Sequence, residues 1–264
     1  MKAVEAHDLK YSYGSSNAVD GVSFDVAQGE WFALLGPNGA GKTTTLHMLA
    51  TMLRPDAGRA AVMGCDTVRQ ARRARAQLGM VFQTPALDLR LTAYENLKIH
   101  SVLYGLHGRE LHRLCREALD WAGLGDYANR LAGALSGGMK RRLELARTLL
   151  HEPAVLFMDE PTVGLDAQSR RDLWERIHLL RERGLSIVMT THYLPEADVC
   201  DRIGIIDHGN LVALGTPAEL RSEVLGAAEG SLEDVFFGLT GRDLSRVNEP
   251  LDAVSLRRAP KEYR

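Results

Sequence analysis

Residues 36–43 read GPNGAGKT, and they follow the unbroken apolar run WFALL at 31–35. The run predicts a buried parallel strand, and the stretch after it predicts a helix over 42–53 stopped by Pro55, so the glycine-rich octet is the turn between them. It satisfies G-x-x-x-x-G-K-[ST], in which glycines let backbone N–H groups converge on phosphate oxygens. Lys42 then reaches the β- and γ-phosphates, and Thr43 offers a hydroxyl to Mg²⁺. Such a cradle needs a carboxylate at the end of a neighbouring strand. The apolar run at 154–158 delivers Asp159 and Glu160 there. Asp159 is placed to orient the metal, and Glu160 to polarise the water that attacks the γ-phosphate.

Working outward, 264 residues with 45% hydrophobic and 25% charged side chains can bury a full core as one domain with a subdomain, or as two small domains. A net charge of −2 lacks the basic excess of a dedicated nucleic-acid binder, which leaves a nucleotide as the expected anion. Cys65, Cys115 and Cys200 lie far apart without metal-ligand spacing, and predict neither a disulfide framework nor a zinc site. The N-terminal MKAVEAHDLKYSYG lacks an apolar signal core, and no run reaches the ~18 apolar residues of a membrane span.

Residues 21–28 alternate apolar and polar before a turn at Gly29, and the β-branched run at 186–190 predicts a second buried strand beside 154–158. A charge-laced helix over 167–183 joins these two runs as a βαβ unit. Between about 84 and 151 the periodicity is helical, consistent with an inserted helical subdomain. Residues 204–215 read as a strand pair around a His-Gly-Asn turn. Beyond Leu239 the chain is charged and apolar-poor, and its last twenty or so residues are expected to be loosely held. Before the helix expected up to Leu149 stands LSGGM at 135–139, a second glycine-rich helix start with no lysine of its own.

GPNGAGKTT, Gln83, LSGGM, VLFMDE at 155–160, GLD at 164–166 and His192 after IVMTT, in this order and at these spacings, resemble an ABC-transporter ATPase subunit over about residues 4–220. The resemblance implies a P-loop NTPase (RecA-like) α/β core with an antiparallel β subdomain, a helical subdomain over about 84–151, and a C-terminal extension over 221–264. It implies MgATP as the bound species. Gly36, Pro37, Asn38, Gly39, Ala40, Gly41, Lys42, Thr43 and Thr44 then form the phosphate cradle, and Thr43, Gln83 and Asp159 surround the metal. Glu160, His192 and Gln83 are the implied catalytic set. Tyr13 resembles the aromatic that stacks on adenine, with Tyr11 as a nearby competitor.

The resemblance also accounts for the second glycine-rich stretch. Two copies face each other head to tail, so that each ATP lies between the P-loop of one chain and Ser136, Gly137 and Gly138 of the other. A helix N-terminus with a serine hydroxyl and open glycine amides suits an anion. Asp166 is expected to cross that interface near the partner's P-loop. Two positions depart from the pattern: Met139 stands where glutamine is usual, and Gly164 where a small serine-like residue is frequent.

TPALDLRLTAYENL at 84–97, GGMKRRLELARTL at 137–149 and SLEDVFFGLTGR at 231–242 are similar to the daunorubicin-resistance type of exporter. That similarity implies a separate ABC-2-type permease, a place on the cytoplasmic inner face of the membrane, a drug, antibiotic or lipid-like cargo, and no nucleic-acid partner. The rival reading is a soluble ABC ATPase acting on ribosomes or nucleic acid. Most such proteins carry two cassettes or a long coiled coil, and this chain has neither. A binding module with a dead site is the other rival, and Lys42, Asp159, Glu160 and His192 are all present. Leu232, Val235, Phe236, Phe237 and Leu239 have amphipathic spacing and are expected to cap the core, with a docking role as the alternative.

Overall fold

The structure, a computed structural model, describes residues 1–226 and 230–242. The alternating N-terminal segment forms an antiparallel pair, β1 (Lys2–Tyr13) and β2 (Ser16–Ala27), which extends from Lys2 opposite Ala27 to Tyr13 opposite Ser16 with register shifts along the way. Every residue of β3 (Trp31–Leu35) is buried, as its continuous apolar run requires. Helix α1 (Lys42–Leu49) is shorter than the 42–53 expected. Thr51 adopts a φ of 63°, and the N–H groups of Met52 and Leu53 both fold back onto the His47 carbonyl. This left-handed stop ends the helix before Pro55 is reached.

The chain continues through β4 (Ala57–Val62), β5 (Cys65–Asp66), α2 (Ala71–Gln77) and β6 (Leu78–Val81). Residues 84–151 then hold α3 (Ala93–Leu103), α4 (Gly108–Trp121) and α5 (Gly137–Leu149). Thr92 starts α3 with a reciprocal capping box to Glu95. These helices pack on an apolar cluster of their own, which includes Leu97, Leu111, Cys115, Leu119 and Leu143. Next come β7 (Val155–Asp159), α6 (Ala167–Glu182), β8 (Ser186–Thr191), α7 (Leu194–Ala197), β9 (Arg202–Asp207), β10 (Asn210–Gly215), α8 (Pro217–Leu225) and α9 (Leu232–Thr240).

Two sheets result. The smaller is antiparallel, in the order β2-β1-β4-β5; the larger runs β10-β9-β3-β8-β7-β6, with only β10 antiparallel to its neighbour. The side-chain period of two in β3 divides the core. Phe32 and Leu34 face the small sheet, where Phe24 stacks on Phe32 at 4.8 Å, while Trp31, Ala33 and Leu35 face the helical layer. The three cysteines are free. Among the described residues no helix is long and apolar enough to cross a membrane.

The boundary expected between residues 220 and 221 falls inside α8. Leu220 shares one apolar cluster with Leu232, Val235 and Phe236 of α9 and with Ile203 and Ile205 of β9, so the start of the expected extension is part of the core. Leu239 packs at the edge of that cluster and Phe237 stays 57% exposed. The expectation for the last twenty or so residues lies outside the described ones. Because Phe236 is fully buried, Phe236→Ala is expected to destabilise the chain by about 3–5 kcal/mol in urea unfolding. A loss below about 1 kcal/mol would mean that α9 is not part of the cooperative core.

Candidate active site

Parallel strands bring their carboxyl ends to one edge of a sheet. Here β3 ends into Gly36, β8 into His192, β7 into Glu160, and β6 two residues before Gln83. The register aligns them: Leu35 lies beside Thr191, Asp159 beside Thr190 and Val81 beside Met158.

At this edge Lys42 opens α1, and its Nζ turns back into the loop, donating to the carbonyls of Gly36 at 2.8 Å and Pro37 at 3.0 Å. Gly41 before it has a φ of 106°, and a Cβ there would meet the Ala18 carbonyl oxygen at 2.4 Å, so only glycine fits. Lys42 Nζ also stands 3.3 Å from Glu160 Oε1, and both side chains are more than nine-tenths buried. Burial pushes the Lys42 ammonium down from its ordinary range, against the opposing pull of Glu160 and Asp159.

Glu160 carries a φ of 43°, a left-handed conformation that costs a non-glycine residue about 1–2 kcal/mol. Two contacts from its N–H hold it there, to Thr190 Oγ1 at 3.0 Å and to the Thr190 carbonyl at 3.1 Å. Its Oε1 lies 3.2 Å from His192 Nδ1, and its Oε2 accepts from Gln83 Nε2 at 3.3 Å. Burial acts to raise the Glu160 carboxyl, but His192 and Lys42 together outweigh it and hold the group below the usual carboxylate range. Asp159 Oδ1 accepts from the hydroxyls of Thr43 at 2.9 Å and Thr190 at 2.5 Å.

A groove of about 490 Å³ opens over these groups, floored by Lys42, Thr43 and Glu160. Asn38, Gly39, Gly41, Thr44 and Gln83 line it, with Ser16, Asn17 and Ala18 of β2 along one wall. Tyr13 lies at its rim, 54% exposed, with Tyr11 packed edge-on behind it at 4.9 Å. Of the two tyrosines, Tyr13 is the one that lines the groove. Gly36, Pro37 and Ala40 are buried beneath the loop. The donor set fits a nucleotide with a hard cation: a buried ammonium with no stronger neutral partner than two carbonyls, and the oxygens of Thr43, Asp159 and Gln83, which suit Mg²⁺.

Ser136, Gly137, Gly138 and Asp166 do not line that groove. Ser136 caps α5, its Oγ accepting from Met139 N–H at 3.3 Å, and Ser136 and Gly137 are exposed. Gly138 is buried, and a Cβ there would meet Ser169 Oγ at 2.2 Å, so it serves the packing of α5 on α6. Exposed Asp166 caps α6, and the Ser169 backbone N–H beside it holds its carboxyl below the usual range.

Several residues at the site are not singled out by the sequence. Buried Glu196 accepts from the hydroxyls of Thr162 and Thr191 (2.7 Å for Thr191), tying the segment after Glu160 to the one that carries His192. Arg141 and Glu144 of α5 hold the backbone around Gln83. The hydroxyls of Thr190 and Thr191 are hinted at only by their place at the end of an apolar run.

A profile of the family described as ABC transporter matches residues 19–163. The chain is 46% identical over 225 residues to the Nod factor export ATP-binding protein I of Paraburkholderia xenovorans, covering 85% of this chain and 74% of that protein. It is 42% identical over 224 residues to the daunorubicin/doxorubicin resistance ATP-binding protein DrrA of Streptomyces peucetius, covering 84% and 68%. Its fold is similar to that of a dimeric ATP-binding cassette in a post-hydrolysis state bound to ADP and Pi, with a TM-score of 0.73, 26% identity, and 81% and 98% coverage.

A carboxyl held below its unfolded value contributes stability above the ordinary carboxylate range and loses it as pH falls through the folded value. The gap in unfolding free energy between the parent and Glu160→Gln is therefore expected to be widest near neutral pH and to narrow below about pH 4. A gap that widens on acidification would contradict the ionised assignment.

Proposed function

The chain belongs to the ABC transporter family of ATP-binding subunits, and on that premise we propose how its residues divide the work of ATP hydrolysis coupled to transport. The observation that carries the reading is the meeting of Lys42, Asp159, Glu160, Gln83 and His192 at one sheet edge while Ser136 and Gly137 face solvent elsewhere. One chain thus holds a phosphate cradle and, apart from it, an open helix start of the kind that binds anions. Two copies closing head to tail complete both sites, and the dimeric form of the similar ADP-bound cassette supports this arrangement.

In the closed dimer Lys42 exchanges its loop carbonyls for β- and γ-phosphate oxygens. Tyr13 offers its exposed face to the base, an interaction that needs only a π surface. Thr43 and Asp159, whose side chains already meet at 2.9 Å, would hold the metal together with Gln83. When bound, Mg²⁺ neutralises charge developing on the phosphates. Glu160, held ionised, accepts a hydrogen bond from the attacking water, and His192 fixes the orientation of that carboxylate. Ser136 and the amides of Gly137 and Gly138 face the partner's nucleotide, with Asp166 at the same interface.

Names borne by the relatives, Nod factor export and daunorubicin/doxorubicin resistance, support export of a drug-like, antibiotic or lipid-like compound. They favour transport over a role on ribosomes or nucleic acid. The partner we infer is an ABC-2-type permease, which would hold this subunit on the inner membrane face. Residues 84–151 we read as the helical subdomain that carries the open helix start.

Glu160→Gln removes the carboxylate that polarises water and leaves Lys42, Thr43 and Asp159 in place. Steady-state hydrolysis is expected to fall on the order of a hundredfold or more, with ATP binding retained and a long-lived ATP-bound dimer detectable by size-exclusion chromatography. Turnover within a few-fold of the parent would sink the role assigned to Glu160.

A further inference from the structure

The segment between β6 and α3 carries Gln83, and its backbone is gripped by side chains of a single helix. Arg141 of α5 donates through Nη1 to the Phe82 carbonyl and through Nη2 to the Gln83 carbonyl at 2.7 Å. Glu144, one turn on, accepts from the N–H groups of Ala86 at 2.9 Å and Phe82 at 3.4 Å. Arg141 Nη1 and Glu144 Oε2 are 2.8 Å apart, and the two residues are 1% and 0% exposed. Arg147 adds a bond to the Ala86 carbonyl. The same helix begins at exposed Ser136 and Gly137, about 7 Å along its axis from Arg141 at 1.5 Å per residue.

A buried ion pair of this kind is a weak source of stability, because desolvation offsets most of its attraction. Its geometry is more specific than stability needs. The guanidinium fork spends two arms on consecutive carbonyls, and the carboxylate spends one oxygen on two amides of the same segment. Gln83 in turn donates to Glu160 Oε2 at 3.3 Å. A rigid helix therefore joins the surface that would meet an opposing chain's nucleotide to a residue that touches the water-polarising carboxylate of its own chain.

We propose that Arg141 and Glu144 are positioning residues that transmit engagement of Ser136 and Gly137 by the partner's nucleotide to Gln83, so that the two sites of the dimer hydrolyse ATP cooperatively. This rests on the reading that Ser136, Gly137 and Gly138 complete the opposing site. Engagement pulls on the start of α5, the helix carries the displacement to the fork, and the Gln83 side chain shifts against Glu160. Coupling of this kind between two sites is a free-energy linkage carried by a contiguous physical element.

The test uses the full chain. Arg141→Lys keeps a cation beside Glu144 and loses the fork; Arg141→Met with Glu144→Leu replaces the pair by apolar side chains of similar size, a change that cores often tolerate. For both, we expect ATP affinity of the isolated subunit within about threefold of the parent, kcat lower by about tenfold, and a Hill coefficient for ATP hydrolysis reduced from above unity to unity. A brace that is only structural would lower the melting temperature without changing the Hill coefficient. The proposal is overturned if Arg141→Lys retains parental kcat and cooperativity, or if the parent itself responds non-cooperatively. Should the double variant fail to fold, Arg141→Lys decides alone. Ser136→Arg separates the two readings: parental turnover in that variant overturns the composite site. Loss of turnover there, with parental behaviour of the Arg141 variants, overturns only the linkage.

Discussion

Lys42 Nζ and Glu160 Oε1, 3.3 Å apart and both nearly removed from water, are the interaction on which the rest of the site depends. Each buried charge would cost several kcal/mol if left alone, and each side chain emerges from a different strand end. The ammonium is satisfied by the Gly36 and Pro37 carbonyls, and the carboxylate accepts from Gln83 and lies 3.2 Å from His192 Nδ1. Every one of those partners also leaves the sheet at the same edge. The parallel register of β3, β8, β7 and β6 is what makes the compensation possible. A phosphate entering the cradle offers Lys42 a stronger partner than two neutral carbonyls.

The antiparallel and helical layers serve this edge from opposite sides. β2 supplies one wall of the groove, and the turn between β9 and β10 props the loop: Gly209 N–H bonds to the Ala40 carbonyl at 2.9 Å, and Asp20 N–H to the Gly209 carbonyl at 2.8 Å. From the helical side, α5 grips the Gln83 segment, and Glu196 ties Thr162 to Thr191. Both clamps use buried acidic groups whose partners are hydroxyls, amides or a guanidinium, so neither carboxylate is left uncompensated.

Much of this was legible in the sequence, for physical reasons. The runs at 31–35, 154–158 and 186–190 are too short and too uniformly apolar for exposed helices, and glycine-rich or acidic residues at fixed distances mark where each strand ends. Other features depend on tertiary context. α1 stops at Leu49 because the left-handed Thr51 lets the N–H groups of Met52 and Leu53 fold back onto the His47 carbonyl, a local choice that Pro55 does not announce. Tyr13 lies exposed at the rim of the groove with Tyr11 packed edge-on against it, which spacing alone leaves open. Arg141 and Glu144 sit at the i, i+3 spacing of a solvated helix face, and only the approach of the 82–86 segment makes that face buried. A boundary at 220 follows the family's usual extent, whereas Leu220, Val235 and Phe236 were placed by the apolar surface of β9 that needed covering.

The two glycine-rich helix starts are expected to form one catalytic site only across two chains. Nucleotide retention by a mixture of Ser136→Arg and Lys42→Ala subunits measures this directly. In a head-to-tail heterodimer one site receives both substitutions and the other receives neither. Ser136→Arg alone is expected to bind ATP without trapping it, Lys42→Ala alone to do neither, and trapped nucleotide to reappear in the mixture. Loss of ATP binding by Ser136→Arg alone, with no recovery on mixing, would place the second helix start within its own chain's site and rule out a site shared by two chains.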